Sequence, residues 1–340
     1  MSKRARIQRK TEAIPSFAFY CLPGGSMHFI KGKLVNQLPA DGQGFAVSPF
    51  RGRAQYISGQ PQRISHKQFR KIWAGLQWPL PTEKMEGIDR SKKAFVALVE
   101  QAVADIHAGK MKKVVTARRY RMTQQDIAPN ELFLEICEQY RNCFCSMVYL
   151  PGAGLWLGAS PEVLVQQQGA ETRTFSLAGT ISKNGEQFTD KERQEQLLVT
   201  KYIADILKQE VDAVAVGATR TIAAGAIRHL RTIIKFSSRE LPVLKAAQLL
   251  HPTPAIAGLP KKEAQQFILR QEGFPRALYS GFIGPVHPQK TSLWVNLRCM
   301  QFHGRYVVFY AGCGITAQSQ PEKEWLETER KMDILRHLLA

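Results

Sequence analysis

The sequence predicts an α+β fold with much antiparallel pairing, and three observations carry this. Strand-like segments come in runs: 143–149, 154–159, 162–167 and 172–178 form one, and 277–284, 291–302 and 305–311 another. Helical segments separate the runs instead of alternating with single strands, which is not the βαβ pattern of a parallel sheet. The glycines at 152, 154 and 158 do not form a strand-to-helix dinucleotide fingerprint.

The elements follow in order. Residues 1–90 are rich in Gly, Pro and Gln. Short apolar stretches at 17–22 and 44–47 predict strands of a mixed sheet, but no chemistry is legible there. Pro79, Pro81 and Thr82 mark a loop. Ser91 predicts an N-cap for a helix over 92–109, whose apolar face is Phe95, Leu98, Val99, Ala102, Val103 and Ile106. Gly109 ends that helix, and a strand-like run begins at Lys113. Further helices are expected over 130–140, 188–210, 239–249, 260–271 and 321–339, with a strand over 228–236. In the helix over 188–210 the expected buried positions are Leu197, Leu198, Ile203, Ile206 and Leu207.

Composition narrows the function. Apolar residues make up 44% of the 340 residues, enough for a sizeable core. No apolar run approaches the eighteen or so residues that span a bilayer. The start is basic and polar with no apolar region behind it, so no secretory signal is expected. The net charge is +19. Its lysines and arginines are spread along the chain, with one cluster at 3–10, and no nucleic-acid motif or aromatic–basic platform accompanies them. A solvated basic surface is the expectation, and a nucleic-acid partner is disfavoured. Of the six cysteines only Cys143 and Cys145 are close in sequence, and no second Cys or His pair completes a zinc site. Reduced thiols and a cytoplasmic location are expected.

Several residues have the chemistry of a site. Glu162 follows Ser160-Pro161 at a strand junction, where a turn can aim it into a cleft. The small and apolar residues Trp156–Ala159 before it would desolvate its carboxyl and keep a proton available for general-acid work. Alone, a glutamate after proline is an ordinary exposed turn residue. Glu192 and Glu195 share one helix face, as do Glu324 and Glu327, with Lys331 one turn further. Such pairs are commonly solvated helix faces. One carboxylate from each helix would also suffice for magnesium, which keeps several waters. Ala178-Gly179-Thr180 and Ala311–Ile315 read as glycine-rich turns whose N–H groups can hold carboxylate oxygens. His251-Pro252-Thr253-Pro254 must be a rigid connection, with His251 a hydrogen-bonded structural residue. Arg298 lies between Leu297 and Cys299 on an expected strand; if buried, it needs an anion.

Taken in order, Lys113–Arg118, Gly158–Glu162, Leu177–Thr180, His251–Ala255, Ala311–Ile315 and Glu324–Glu327 resemble the chorismate-utilising enzymes. The resemblance covers roughly 91–338, and the block from His251 to Lys331 is its most specific part. It implies two large, mostly antiparallel sheets packed face to face with helices outside. Residues 91–338 would be the catalytic domain, and 1–90 the N-terminal part of the same fold. It implies Lys113 as the base that activates water, Glu162 as general acid, and Glu195 and Glu327 as ligands of Mg2+. Gly179, Thr180, Ala255, Ile256, Tyr279, Arg298, Gly312 and Lys331 would contact the substrate, chorismate.

A lysine at 113 goes with the water-using branch of the family, isochorismate synthase, acting as a monomer. Relatives that use ammonia or an amine carry glutamine there. The aminodeoxychorismate branch places a lysine nucleophile where this chain has Ala178. Salicylate synthase, which also eliminates pyruvate, is not separated by these motifs. One departure stands out: the family's Glu-His at the first metal position is Glu195-Gln196 here.

Overall fold

The computed structural model describes residues 14–339 apart from 84, 88, 90, 124–126, 183–186 and 225–226. The side chains of residues 180, 182, 191, 223, 224 and 227 also lie outside the description. The first strands are β1 (Ser16–Cys21), β2 (Met27–Gly32), β3 (Leu34–Val35), β4 (Gly44–Ser48), β5 (Gln55–Ser58) and β6 (Gln62–Ile64). Helices α1 (His66–Ala74) and α2 (Lys92–His107) follow, then β7 (Lys113–Thr123) and α3 (Pro129–Gln139). Next come β8 (Phe144–Leu150), β9 (Gly154–Ser160), β10 (Val163–Gln168), β11 (Glu171–Ser182) and α4 (Asp190–Leu207). Then run β12 (Val214–Val216), β13 (Arg220–Ala224), β14 (Ile227–Ser237), α5 (Val243–Leu250), β15 (Gly258–Leu259) and α6 (Lys261–Gln271). The chain closes with β16 (Phe282–Val286), β17 (Ser292–Val295), β18 (Cys299–His303), β19 (Tyr306–Ile315) and α7 (Pro321–Arg336).

Two sheets result. One has the order β15-β7-β19-β18-β9-β8-β1-β2-β6; the other runs β12-β14-β11-β10-β17-β16-β4-β5-β3, with β13 beside β14. The early strands over 17–22 and 44–47 were expected in a mixed sheet. They join fully antiparallel ones instead: β1 lies between β2 and β8, and β4 between β5 and β16, with all four pairings antiparallel. The sheets face each other across an aromatic core. Phe144 of the first sheet stacks on Trp294 of the second, with centroids 4.1 Å apart and planes 5° from parallel. Phe45, Ala117, Trp156, Tyr279 and Ile283 share this layer. Outside the first sheet, α1, α3 and α7 cover Phe17, Phe19, Met147 and Phe309. Outside the second, α4 and α5 cover Leu164, Val165, Ile234 and Phe236. The two-sheet arrangement with outer helices is therefore as expected.

Two expected elements differ. The stretch 291–302 is not one strand. It breaks at Asn296–Arg298, and the chain passes there from one sheet to the other, with Arg298 at φ 46°. The stretch 277–284 is also not a strand from its start. Ala277 and Ser280 have positive φ, and Tyr279 N–H bonds back to Arg276 C=O at 2.9 Å, so a turn precedes β16. In α4 the buried positions are Gln196, Val199, Thr200, Ile203, Ala204 and Leu207, while Leu197 and Leu198 are 65% and 53% exposed. The buried amide of Gln196 decides this phase, by bonding to Ser176 and Thr232 under the helix.

Part of the basic excess is spent inside the fold. Arg118 is buried against the Trp325 ring and bonds Thr328 and Glu329 of α7. Arg119 is buried against Asp89 and the Gly87 carbonyl. Arg276 and Glu272 form a fully buried ion pair. Arg276 also donates to the carbonyls of Ile256, at 2.9 Å, and Val115, at 2.6 Å, while Glu272 accepts from Ala117 N–H at 2.8 Å. Four segments are thus tied beneath the strand that starts at Lys113. Removing one partner leaves the other charge buried without compensation, so Arg276→Ala is expected to cost about 3–5 kcal/mol in a denaturant melt. A loss below about 1 kcal/mol would show that this clamp does not hold the region together.

Candidate active site

Lys113 opens β7 at the edge where β15 pairs with it, Leu259 opposite Lys113. Its side chain points the same way as Ala117, into the space between the sheets, because side chains alternate along a strand. Gly314 on β19 leaves the room it occupies. A Cβ there would come within 3.1 Å of Lys113 Cε. Lys113 Nζ meets Glu195 Oε1 of α4 at 3.1 Å, and the lysine side chain is only 16% exposed.

Glu162 stands on the other sheet-to-sheet passage, between β9 and β10. Its carbonyl accepts from Val295 N–H at 2.9 Å. Ser160 Oγ bonds the Leu297 carbonyl at 3.2 Å, so the passage carrying Glu162 is fastened to the one carrying Arg298. Gly158 permits the contact; a Cβ there would sit 2.8 Å from the Arg298 carbonyl. Burial raises the Glu162 carboxyl to about 7, against the opposing pull of the Lys113 and Lys331 charges. A carboxyl held near neutrality and faced by two cations is what a proton donor needs at physiological pH.

The two glutamate pairs resolve differently from their sequence symmetry. Glu192 caps its own helix, accepting from Thr189 N–H at 2.9 Å, and only Glu195 reaches Lys113. On α7, Glu327 pairs with Lys331 at 2.7 Å, and Lys331 Nζ also donates to the Gly312 carbonyl at 2.8 Å. Glu324 is more buried, and desolvation raises its carboxyl.

The remaining expected contacts take several forms. Gly179 and Gly312 do not lie in turns. Both are inside long strands, β11 and β19, and Gly179 is a bulge with φ 66° whose missing Cβ lets Glu192 of α4 approach. Tyr279 is fully buried; its hydroxyl lies against Gly312 and its ring stacks on Tyr310. Arg298 is half-buried on the passage, and no acidic side chain lies within ion-pair distance of it among the described residues. Ala255 is half-buried, but the Ile256 side chain packs in the second sheet's outer core, its N–H donates to the Thr253 carbonyl and its carbonyl accepts from Arg276. The side chain of Thr180 lies outside the described residues; its backbone pairs with His229. His251 is structural: it bonds the carbonyls of Pro49 and Phe50, each at 3.2 Å, and burial lowers its pKa to about 4.

Sequence reasoning missed two residues. His229 lies opposite Thr180, and the charges of Arg298 and Lys331 join burial in lowering its pKa. Thr253 carries a buried hydroxyl with no hydrogen-bond partner among the described residues. The strand over 228–236 had signalled His229 by position only, since its facing depends on the bulge at Gly179.

This arrangement sets cations from β7 and α7 toward one carboxyl, which suits a small anion. Comparison with known proteins agrees. Residues 62–340 match the family described as chorismate binding enzyme. The chain belongs to the chorismate-binding enzymes. This chorismate-binding enzyme is 32% identical over 296 residues to isochorismate synthase MenF of Escherichia coli, across 82% of its own length and 68% of that protein's. It is 30% identical over 257 residues to isochorismate synthase EntC of the same organism, covering 71% of this chain and 66% of that one. The solved structure of Escherichia coli MenF, described as menaquinone-specific, aligns with TM-score 0.78 at 25% identity, over 97% of this chain and 90% of that one. Anthranilate synthase component I from Streptococcus pneumoniae, 16% identical, aligns with TM-score 0.69 over 98% of this chain and 95% of that one, and shares the fold. No helix among the described residues is long and apolar enough to cross a membrane.

Proposed function

We propose that this chain is an isochorismate synthase, converting chorismate to isochorismate by adding water to the ring and expelling the ring hydroxyl. One observation carries the reading: Lys113 and the neutral-poised Glu162 serve one cleft, the lysine from a strand start and the carboxyl from a sheet passage. In this reading Lys113 takes a proton from water as it adds beside the ring carbon that bears the carboxylate. The double bonds shift, and Glu162 protonates the departing hydroxyl. Arg298 and Lys331 neutralise the substrate's carboxylates, and the backbone at Gly312, Ala255 and Ile256 bounds the ring. Gln196 keeps Glu195 turned into the cleft by anchoring α4 to β11 and β14.

The donor set fits magnesium. It would consist of the hard carboxylate oxygens of Glu195 and Glu327, without a cluster of three or more His, Cys, Asp or Glu among the described residues, so water and substrate would have to supply the other ligands. Two carboxylates, Glu195 and Glu327, are what a magnesium ion that keeps its waters and takes substrate oxygen would use. When bound, the ion supplies positive charge against the ring carboxylate. Lys113 and Lys331 pair with these two carboxylates. Glu327→Ala is expected to weaken magnesium binding more than about tenfold by calorimetry and to lower turnover in parallel. Full turnover after exhaustive chelation would remove the metal from the account.

The proposal extends to a cytoplasmic monomer acting on chorismate, with no nucleic-acid or membrane partner. It serves either a menaquinone or a siderophore route. Residues 91–338 carry the chemistry in this reading, and the strands before them complete the two sheets. Incubation with chorismate and magnesium, followed by chromatography, tests it: isochorismate should accumulate. Salicylate with pyruvate, or no conversion, would contradict it.

A further inference from the structure

Strand β7 carries Lys113, and another strand covers only part of its outer edge. There β15 contributes two residues, Gly258 and Leu259, opposite Val114 and Lys113. Gly258, at φ 131°, permits this approach; a Cβ there would collide with the Lys113 carbonyl. Residues 113, 115 and 117 turn their backbone groups to this edge, because successive residues of an antiparallel strand bond to opposite sides. Val115 N–H finds the Ala257 carbonyl at 2.9 Å. The next two edge groups go to side chains. The Val115 carbonyl accepts from Arg276 Nη2 at 2.6 Å, and Ala117 N–H donates to Glu272 Oε1 at 2.8 Å. Val115 and Ala117 are both buried, so these groups would otherwise lose their hydrogen bonds away from water. The Arg276–Glu272 pair stands in for a neighbouring strand.

A buried ion pair by itself speaks only for the fold. The distribution of these bonds says more. Val115 lies two residues after Lys113. Arg276 Nη1 donates at 2.9 Å to the carbonyl of Ile256, the neighbour of Ala255. The guanidinium carbon lies 5.9 Å from the centroid of the Tyr279 ring and 4.4 Å from that of Phe50. Arg276 Nε also donates to Glu272 Oε2 at 2.8 Å, and both side chains are 1% exposed. One planar fork thus serves a carboxylate and two carbonyls at once, which a lysine with its single nitrogen cannot reproduce. None of these bonds reaches α4 or α7, the helices that carry Glu195 and Glu327.

Resting on the function proposed above, we infer that Arg276 and Glu272 are positioning residues for the reaction: they fix the strand of Lys113 against the Ala255–Ile256 segment and Tyr279. Both are buried beneath the cleft and neither meets substrate. Their part is to hold the base at a set distance from the backbone that bounds the ring. Reacting groups tolerate little error in such a distance, and a displacement of about 1 Å costs about hundredfold in rate. Arg276→Lys keeps the charge opposite Glu272 but gives up at least one of the two carbonyls. Lys113 then loses its fixed place while the metal ligands on α4 and α7 keep theirs.

The test compares the full chain with Arg276→Lys and with Phe133→Leu, which loosens the outer core of the first sheet far from the pair and controls for lost stability. Three quantities are measured: kcat with chorismate, magnesium affinity by calorimetry, and hydrogen exchange of the peptide 113–118 by mass spectrometry. In Arg276→Lys, kcat should fall about hundredfold, magnesium affinity should stay parental, and the peptide should lose protection. Phe133→Leu should keep all three near the parental values despite a lower melting temperature. Arg276→Lys turning over as fast as Phe133→Leu would overturn the inference. So would a loss of magnesium affinity in step with kcat, which marks general loosening. The exchange arm needs no substrate. Retained protection of 113–118 in Arg276→Lys overturns the inference even if the parental protein forms no isochorismate, a result that would strike the proposed function instead.

Discussion

Replacing Lys113 with glutamine is expected to abolish isochorismate formation. An amide has no basic lone pair to take a proton from water, so turnover should fall by at least about hundredfold, the lower end of general-base effects. The change removes little volume and leaves a polar group within reach of Glu195, so a thermal melt should stay near the parental one. Glutamine is also what the ammonia-using relatives carry at this position. Ammonium-dependent formation of an aminated product by Lys113→Gln is therefore a second readout. Isochorismate formation at the parental rate would show that Lys113 is not the base.

Glu162→Gln should bind chorismate and magnesium but turn over about 10²–10⁴ times more slowly. The carboxyl titrates near 7 in the folded protein, against an ordinary 4.5, because burial disfavours its charge. As the acid it must be protonated, so parental kcat/KM is expected to fall as pH rises through about 7. That limb should be missing from the residual activity of the variant. Stability moves with the same group. Between 4.5 and 7 the folded state holds a proton that the unfolded state has lost, so Glu162 makes the protein less stable as pH rises through that window. Glutamine removes this contribution. The variant should melt above the parent at pH 8 and level with it at pH 4. A variant that melts below the parent at pH 8 would mean that the charged carboxylate is well satisfied where it sits.

The fold was legible in the sequence because runs of strand-like segments separated by helices leave few architectures, and the segment order carried the family. Local detail was less legible where a contact from elsewhere decides it. Leu197 and Leu198 looked buried by hydrophobicity, but the buried amide of Gln196 sets the rotation of α4, and no periodicity reports that. The passage at Arg298 also escaped, since a chain leaving one sheet for the other looks like continuous strand until its partners are known; at Glu162 the junction was marked by Ser160-Pro161. Gly179 and Gly312 read as turn glycines by habit of composition. In the fold they serve close approach, to α4 at Gly179 and to the Tyr279 hydroxyl at Gly312. Glu192 and Glu195 were equivalent in spacing. Only the cap at Thr189 distinguishes them, because it occupies one carboxylate and leaves the other to Lys113.

The central claim is that water, activated at Lys113, supplies the new hydroxyl. Running the reaction in oxygen-18 water tests it most directly. One heavy oxygen per molecule of isochorismate is expected, at the hydroxyl-bearing carbon beside the ring carboxylate. Unlabelled isochorismate would mean that the ring hydroxyl migrates without exchange, and would contradict the account.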